Sequence, residues 1–173
     1  MLKRLFFLLL PLLLFGETFK EVAVEAQAAL QLLRSTHPAA KRHIERAAAI
    51  LVFPKVYKLG FVIGGEYGKG VLFEHGRTAG YYELASLSLG PQIGAQRRSI
   101  VIIFLDPAAY REFLRKEGFE IGVDGSVAVL QWGVADEVGT LDANKPIVAY
   151  VFDNEGLMLN LTLEGTRIWR VGP

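Results

Sequence analysis

The run Ile100-Val101-Ile102-Ile103-Phe104-Leu105 is the strongest constraint on what this chain can fold into. Its residues are apolar without alternation, which suits a central strand buried on both faces. A sheet built around that strand is the expected core of the fold.

What precedes the sheet is helical. Phe19, Val22, Ala26, Ala29, Leu30 and Leu33 recur at helical spacing, with Lys20, Glu21, Glu25, Gln27, Gln31 and Arg34 off the stripe. Thr18 with Glu21 three residues on forms a capping-box pattern, and His37-Pro38 ends the helix. A second helix is expected from Pro38 to about Leu51, with Ile44, Ala47, Ala48 and Leu51 on one face. Lys41, Arg42, Glu45 and Arg46 fall on the other.

After Pro54 glycines become frequent and the apolar runs shorten, a texture of strands and turns. Strands are expected at Phe61–Gly65, Gly70–Phe73 and Gly80–Leu84, with a turn at Glu74-His75-Gly76-Arg77. Asp106-Pro107 opens a short helix through Leu114, carrying Arg115 and Lys116 at its C-terminal end, where cations suit the helix dipole. Val127–Trp132, Ile147–Phe152 and Leu157–Leu163 are further strands, the last alternating leucines with Met158, Asn160 and Thr162, and Arg167–Val171 closes the set. Helices first and strands later make the class α+β: N-terminal helices packed on a largely antiparallel, partly barrel-like β-sheet. The 173 residues contain no linker or repeat and form a single domain from residue 17 to 173.

Residues 1–16 have a different character. Lys3 and Arg4 precede the apolar stretch Leu5–Phe15, whose 11 residues are the length of a signal peptide. A membrane-spanning helix needs about 20. A secretory signal is therefore expected, with export to the periplasm. Removing residues 1–16 leaves 17 basic against 18 acidic residues, so the mature chain is not basic overall. That balance, without a regular set of aromatics between the cations, argues against nucleic acid as a partner.

Composition removes much chemistry. The absence of cysteine excludes disulfides, thiolate metal sites and thiol nucleophiles. Gly64-Gly65-Glu66-Tyr67-Gly68-Lys69-Gly70 only superficially resembles a phosphate-binding loop: Ile63 replaces the first glycine, and Gly70 the hydroxyl residue that would hold magnesium. Close strand packing and turns in a glycine-rich hairpin are its expected roles. His37, His43 and His75 have no metal-ligand spacing and read as solvated or capping residues. Asp136, Glu137 and Asp142 fall in a polar stretch between strands, and with Asp124 leave hydrolysis without a supporting motif. No enzyme activity, cofactor or metal is expected.

Positive charge clusters despite the neutral total. Lys55 and Lys58 flank Val56-Tyr57, Lys69 follows in the glycine-rich turn, and Arg97-Arg98 precede the apolar run. If folding gathers these residues on one surface, they would attract anionic lipid at about 1 kcal/mol per basic residue.

Several segments together resemble the SYLF domain family. These are Ala47–Pro54, Lys58-Leu59-Gly60-Phe61, the glycines of Gly64–Gly70, Gly94-Ala95-Gln96, the run from Ile100, Gly122-Val123-Asp124, Gly156-Leu157 and Leu161–Thr166. The resemblance spans about residues 20–170. It implies a lipid-binding module: eukaryotic relatives bind phosphoinositides, some also actin filaments, and bacterial relatives are exported. Lys58 occupies the family's basic position before the Gly-Phe pair, whereas Lys55, Lys69, Arg97 and Arg98 rest on local charge alone. Tyr81-Tyr82 replaces the usual tryptophan-serine pair, and no lipoprotein cysteine follows the signal. The expectation is an exported, non-catalytic domain, peripheral to anionic phospholipid or phosphoinositide-like headgroups. An exported form would not meet actin. The alternative is an envelope scaffold that binds another protein.

Overall fold

The computed structural model of the chain describes residues 16–60, 63–89, 94–130, 145–153, 156–157 and 162–172. Helix α1 (Phe19–Thr36) starts at the expected capping box. Thr18 Oγ1 accepts from the Glu21 N–H at 3.3 Å, and Glu21 Oε2 accepts from the Thr18 N–H at 2.9 Å. Val22, Ala26 and Leu33 are its buried residues and share one face. His37 separates α1 from α2 (Pro38–Arg46), with proline at the start of α2, where its missing N–H leaves no bond unmade.

Here the structure departs from the expected second helix. It ends at Arg46, and strand β1 (Ala49–Gly60) takes over the residues expected to finish it. Ala49 to Phe53 are apolar and buried, and they pair on one side with β2 (Ile63–Glu74) and on the other with β4 (Gly94–Phe104). Two ladders outweigh one more helical turn.

Strand β3 (Arg77–Leu89) forms a hairpin with β2, closed by His75 and Gly76 at φ 50° and 75°. Positive φ at both central residues is what a two-residue type I′ turn requires. After β4, Asp106 caps α3 (Pro107–Arg115), its carboxylate accepting from the Ala108 N–H at 2.8 Å. Short strands β5 (Gly118–Glu120) and β6 (Ala128–Leu130), then β7 (Ile147–Asp153), β8 (Gly156–Leu157) and β9 (Arg167–Val171) complete the chain. Of the strand expected at 127–132, residues 131 and 132 lie outside the described residues, as do residues 61–62 and 158–161 of two others. Thr162 and Leu163 are not in a strand.

The sheet order is β5-β9-β3-β2-β1-β4-β7-β6, with β8 on β7, and it forms a half-barrel. Among the described strands, every pairing is antiparallel except β6 with β7. The central apolar run is the end of β4, between β1 and β7, and it is buried on both faces as expected.

Two cores follow from the two faces. On the α1 face, Ile50, Val52, Val71, Phe73, Val101, Ile103, Val148 and Tyr150 pack with Val22, Ala26 and Leu33 of α1 and Ala40 of α2. On the α3 face, Leu51, Phe53, Ile100, Ile102 and Phe104 pack with Tyr110 and Phe113 of α3 and with Phe119. Alternation along each strand sends neighbouring residues to opposite cores.

The glycine run, expected to hold turns between two strands, is instead continuous strand within β2, and it serves this packing. A Cβ on Gly70 would lie 2.5 Å from Cδ1 of Phe53, and one on Gly68 2.9 Å from Cγ2 of Val56. Both large side chains lie across bare backbone. No helix among the described residues is long and apolar enough to cross a membrane.

Candidate functional site

Beyond Phe53 the register of β1 shifts against both neighbours around Pro54 and Lys55. Past this bulge, β1, β2 and β4 carry all five expected cations. Lys55 is opposite Lys69, Val56 opposite Arg98, and Tyr57 opposite Arg97. The fold thus brings the five onto three adjacent strands, and alternation divides them between the two faces.

Lys55, Lys69 and Arg97 belong to the α1 face. Lys55 Nζ donates to Glu17 Oε1 at 2.6 Å and to Glu25 Oε1 at 2.5 Å, fastening the start of α1 to the sheet. Burial works to lower the Lys55 pKa, but bonds and charges from Glu17 and Glu25 outweigh it and hold the ammonium above its ordinary value. Lys69 Nζ donates to the Glu17 carbonyl at 3.1 Å and lies 5.8 Å from the centre of the Phe19 ring, a cation–π contact. Arg97 is exposed.

Lys58 and Arg98 belong to the α3 face, where they share one carboxylate. Arg98 donates to Glu66 Oε2 at 2.5 Å with both side chains 5% exposed, and Lys58 Nζ stands 3.6 Å from Glu66 Oε1. Four of the five cations therefore have an acidic or carbonyl partner within the fold, and Arg97 is the member turned to solvent.

Aromatic and apolar residues that charge alone does not point to continue across the sheet from Arg97. One cross-strand row reads Arg97, Tyr57, Tyr67, Ala85, Arg167, spanning β4, β1, β2, β3 and β9. The next row places Leu59, Gly65 and Leu87 side by side, and Ile63 follows opposite Leu89. Leu87 is 87% exposed and Ile63 68%. Tyr67 donates to Glu83 Oε1 at 2.7 Å, and burial first, then the Glu83 carboxylate, pushes its phenol well above the ordinary range. Arg167 stands 3.3 Å from Glu120 and is 70% exposed. The surface is thus apolar and aromatic, with an arginine at each end of its first row. Its signal in the sequence was the period-two pattern Tyr57, Leu59 and Ile63, Gly65, Tyr67.

Other candidates resolve into structural roles. His43 is buried, contrary to the solvated or capping role expected of it, because α2 lays it against the sheet with Nδ1 2.7 Å from the Tyr150 hydroxyl. His37 caps α1 through its backbone N–H, and His75 occupies the hairpin turn. Asp124 accepts from the Glu120 N–H at 2.7 Å and from Lys116 at 3.0 Å; that backbone bond first, then Lys116, lowers its pKa. Asp136, Glu137 and Asp142 lie outside the described residues. Among the described residues no three His, Asp or Glu gather in a way that could hold a metal ion.

No curated protein matches the chain. The model of the Ysc84 family, described as "Las17-binding protein actin regulator", matches residues 85–171, which run from β3 through β9. That stretch includes Leu87, Arg97 and Arg98, and it covers half of the chain: this protein belongs to the Ysc84, or SYLF, family.

Proposed function

We propose that the chain is an exported, non-catalytic lipid-binding domain that associates peripherally with anionic phospholipid through the exposed end of its α1 face. The observation that carries this reading is the pairing of exposed Leu87 and Ile63 with a row that runs from Arg97 through two tyrosines to Arg167. Leucine and isoleucine enter the acyl boundary, the tyrosines stand where an apolar ring and a polar tip are both satisfied, and the arginines meet phosphate. Lys55 and Lys69 add positive field behind the row, while their bonds hold α1 in place. Lys58 and Arg98 support the surface from below through Glu66. The family resemblance supports the lipid class, and the N-terminal signal pattern supports export.

Both core clusters are built of residues from Val22 to Ile168, so a chain starting at Gly16 keeps them whole. Co-sedimentation of that chain and of the full chain tests the reading with neutral phosphatidylcholine vesicles and with phosphatidylglycerol vesicles, at low and moderate salt. Pelleting with phosphatidylglycerol that weakens as salt rises is the expected result, because exposed charges are screened over about 8 Å at physiological ionic strength. Leu87→Asp with Ile63→Asp should abolish it. Absence of pelleting with every vesicle would overturn the lipid reading and favour a protein partner in the envelope.

A further inference from the structure

A cavity of about 280 Å³ opens between α1 and strands β1, β4 and β7, and Arg97 borders both this cavity and the exposed row. Its walls differ in chemistry. Ala28 and Leu32 give an apolar side along α1, while Glu25, Asp153, Lys55 and Arg97 bring charges of both signs. Lys55 is already held between Glu17 and Glu25. Glu25 uses Oε1 for that bond; its Oε2 is buried and has no hydrogen-bond partner among the described residues. A buried carboxylate oxygen without a donor is unfavourable to leave so.

We propose that this cavity takes a zwitterionic phospholipid headgroup of the phosphoethanolamine class. The primary ammonium donates to the Glu25 carboxylate, whose side chain is 35% exposed at the cavity wall, and the phosphate lies against Arg97. The acyl chains leave along Ala28 and Leu32. A ligand of one sign fits poorly, since an anion meets two carboxylates and a cation meets Lys55 and Arg97. A quaternary ammonium has no N–H to give Glu25. The apolar wall selects a lipid over the free headgroup. This deepens the membrane reading above and rests on it, adding headgroup choice to general charge attraction.

The test is titration of the full chain, followed by amide NMR shifts, with dihexanoylphosphatidylethanolamine, dihexanoylphosphatidylcholine and free phosphoethanolamine, each below its aggregation concentration. The ethanolamine lipid should bind at least about tenfold tighter than the choline lipid, the effect of one hydrogen bond to a charged group. Glu25→Gln should erase that ratio, and Ala28→Trp, at an exposed helix position, should block both lipids. Equal affinity of the two lipids for the unaltered chain would overturn the proposal. Free phosphoethanolamine binding as tightly as its lipid would overturn the lipid source. Glu25→Gln should still pellet with phosphatidylglycerol vesicles. If instead the unaltered chain pellets with no vesicle yet keeps its tenfold ratio in solution, the membrane reading falls and the headgroup cavity stands.

Discussion

Glu66 is 6% exposed and faces two cations across the strands, Arg98 at 2.5 Å and Lys58 at 3.6 Å. Removing it leaves a buried guanidinium without its counter-charge, so Glu66→Ala should destabilise the fold by about 3–5 kcal/mol in chemical denaturation. Replacing the pair together, Glu66→Leu with Arg98→Met, should cost far less, because the buried guanidinium leaves with its partner and Lys58, 23% exposed, keeps access to water. Gly70 is the steric counterpart. A methyl there would press on Phe53 and on the Val52 carbonyl, 2.8 Å away, so Gly70→Ala should cost about 1–3 kcal/mol in the same assay. The sequence exposed the cations but not their neutralisation. Glu66 is 32 residues from Arg98, and only strand register brings them together. Register also decides faces, which is why five cations that look like one cluster divide into three and two.

At the scale of elements, α1 is the best-read part of the chain, since its capping box and buried stripe are both local patterns. The Thr18 cap satisfies orphan N–H groups at the end that Lys55 and Lys69 fasten to the sheet through Glu17. Thr18→Ala should lower stability by about 1 kcal/mol, read as a shift in thermal midpoint. The end of α2 is not legible locally, because Ile44, Ala47, Ala48 and Leu51 also fit a helical period. What decides between helix and strand there is pairing with β2 and β4, and those partners lie about 20 and 50 residues away. The β2–β3 turn, by contrast, was legible, because His75-Gly76 offers the positive φ that the hairpin needs.

For the whole molecule, helices first and strands later were enough to give the α+β class. The strand order was not legible: β9 returns from the end of the chain to pair with β3, and nothing local to Arg167–Val171 announces that. The closed core also carries a pH dependence. Burial first, then the nearby Glu74 carboxylate, pushes the Tyr110 phenol up to about 12, and burial raises Tyr82 in the same direction. A phenol whose pKa is higher folded than unfolded binds its proton more tightly in the native state. Its contribution is complete below about pH 10, the unfolded value, and is lost as pH rises from there towards 12. Stability should therefore fall across that window, and Tyr110→Phe should make the fall shallower in urea titrations at pH 9, 10.5 and 11.5.

The assembled molecule presents two faces, and the proposed membrane contact lies on the α1 side. Because the chain has no cysteine, Leu87→Cys and Leu114→Cys each create a unique labelling site, the first on the exposed end of the α1 face and the second on α3. The measurement is the emission of an environment-sensitive fluorophore at each site, with lipid-phase and aqueous quenchers, on phosphatidylglycerol vesicles. The label at 87 should shift to the blue and be quenched from the lipid phase, while the label at 114 stays accessible to the aqueous quencher. A bound protein in which position 114 enters the lipid and position 87 remains in water would overturn membrane contact through the α1 face.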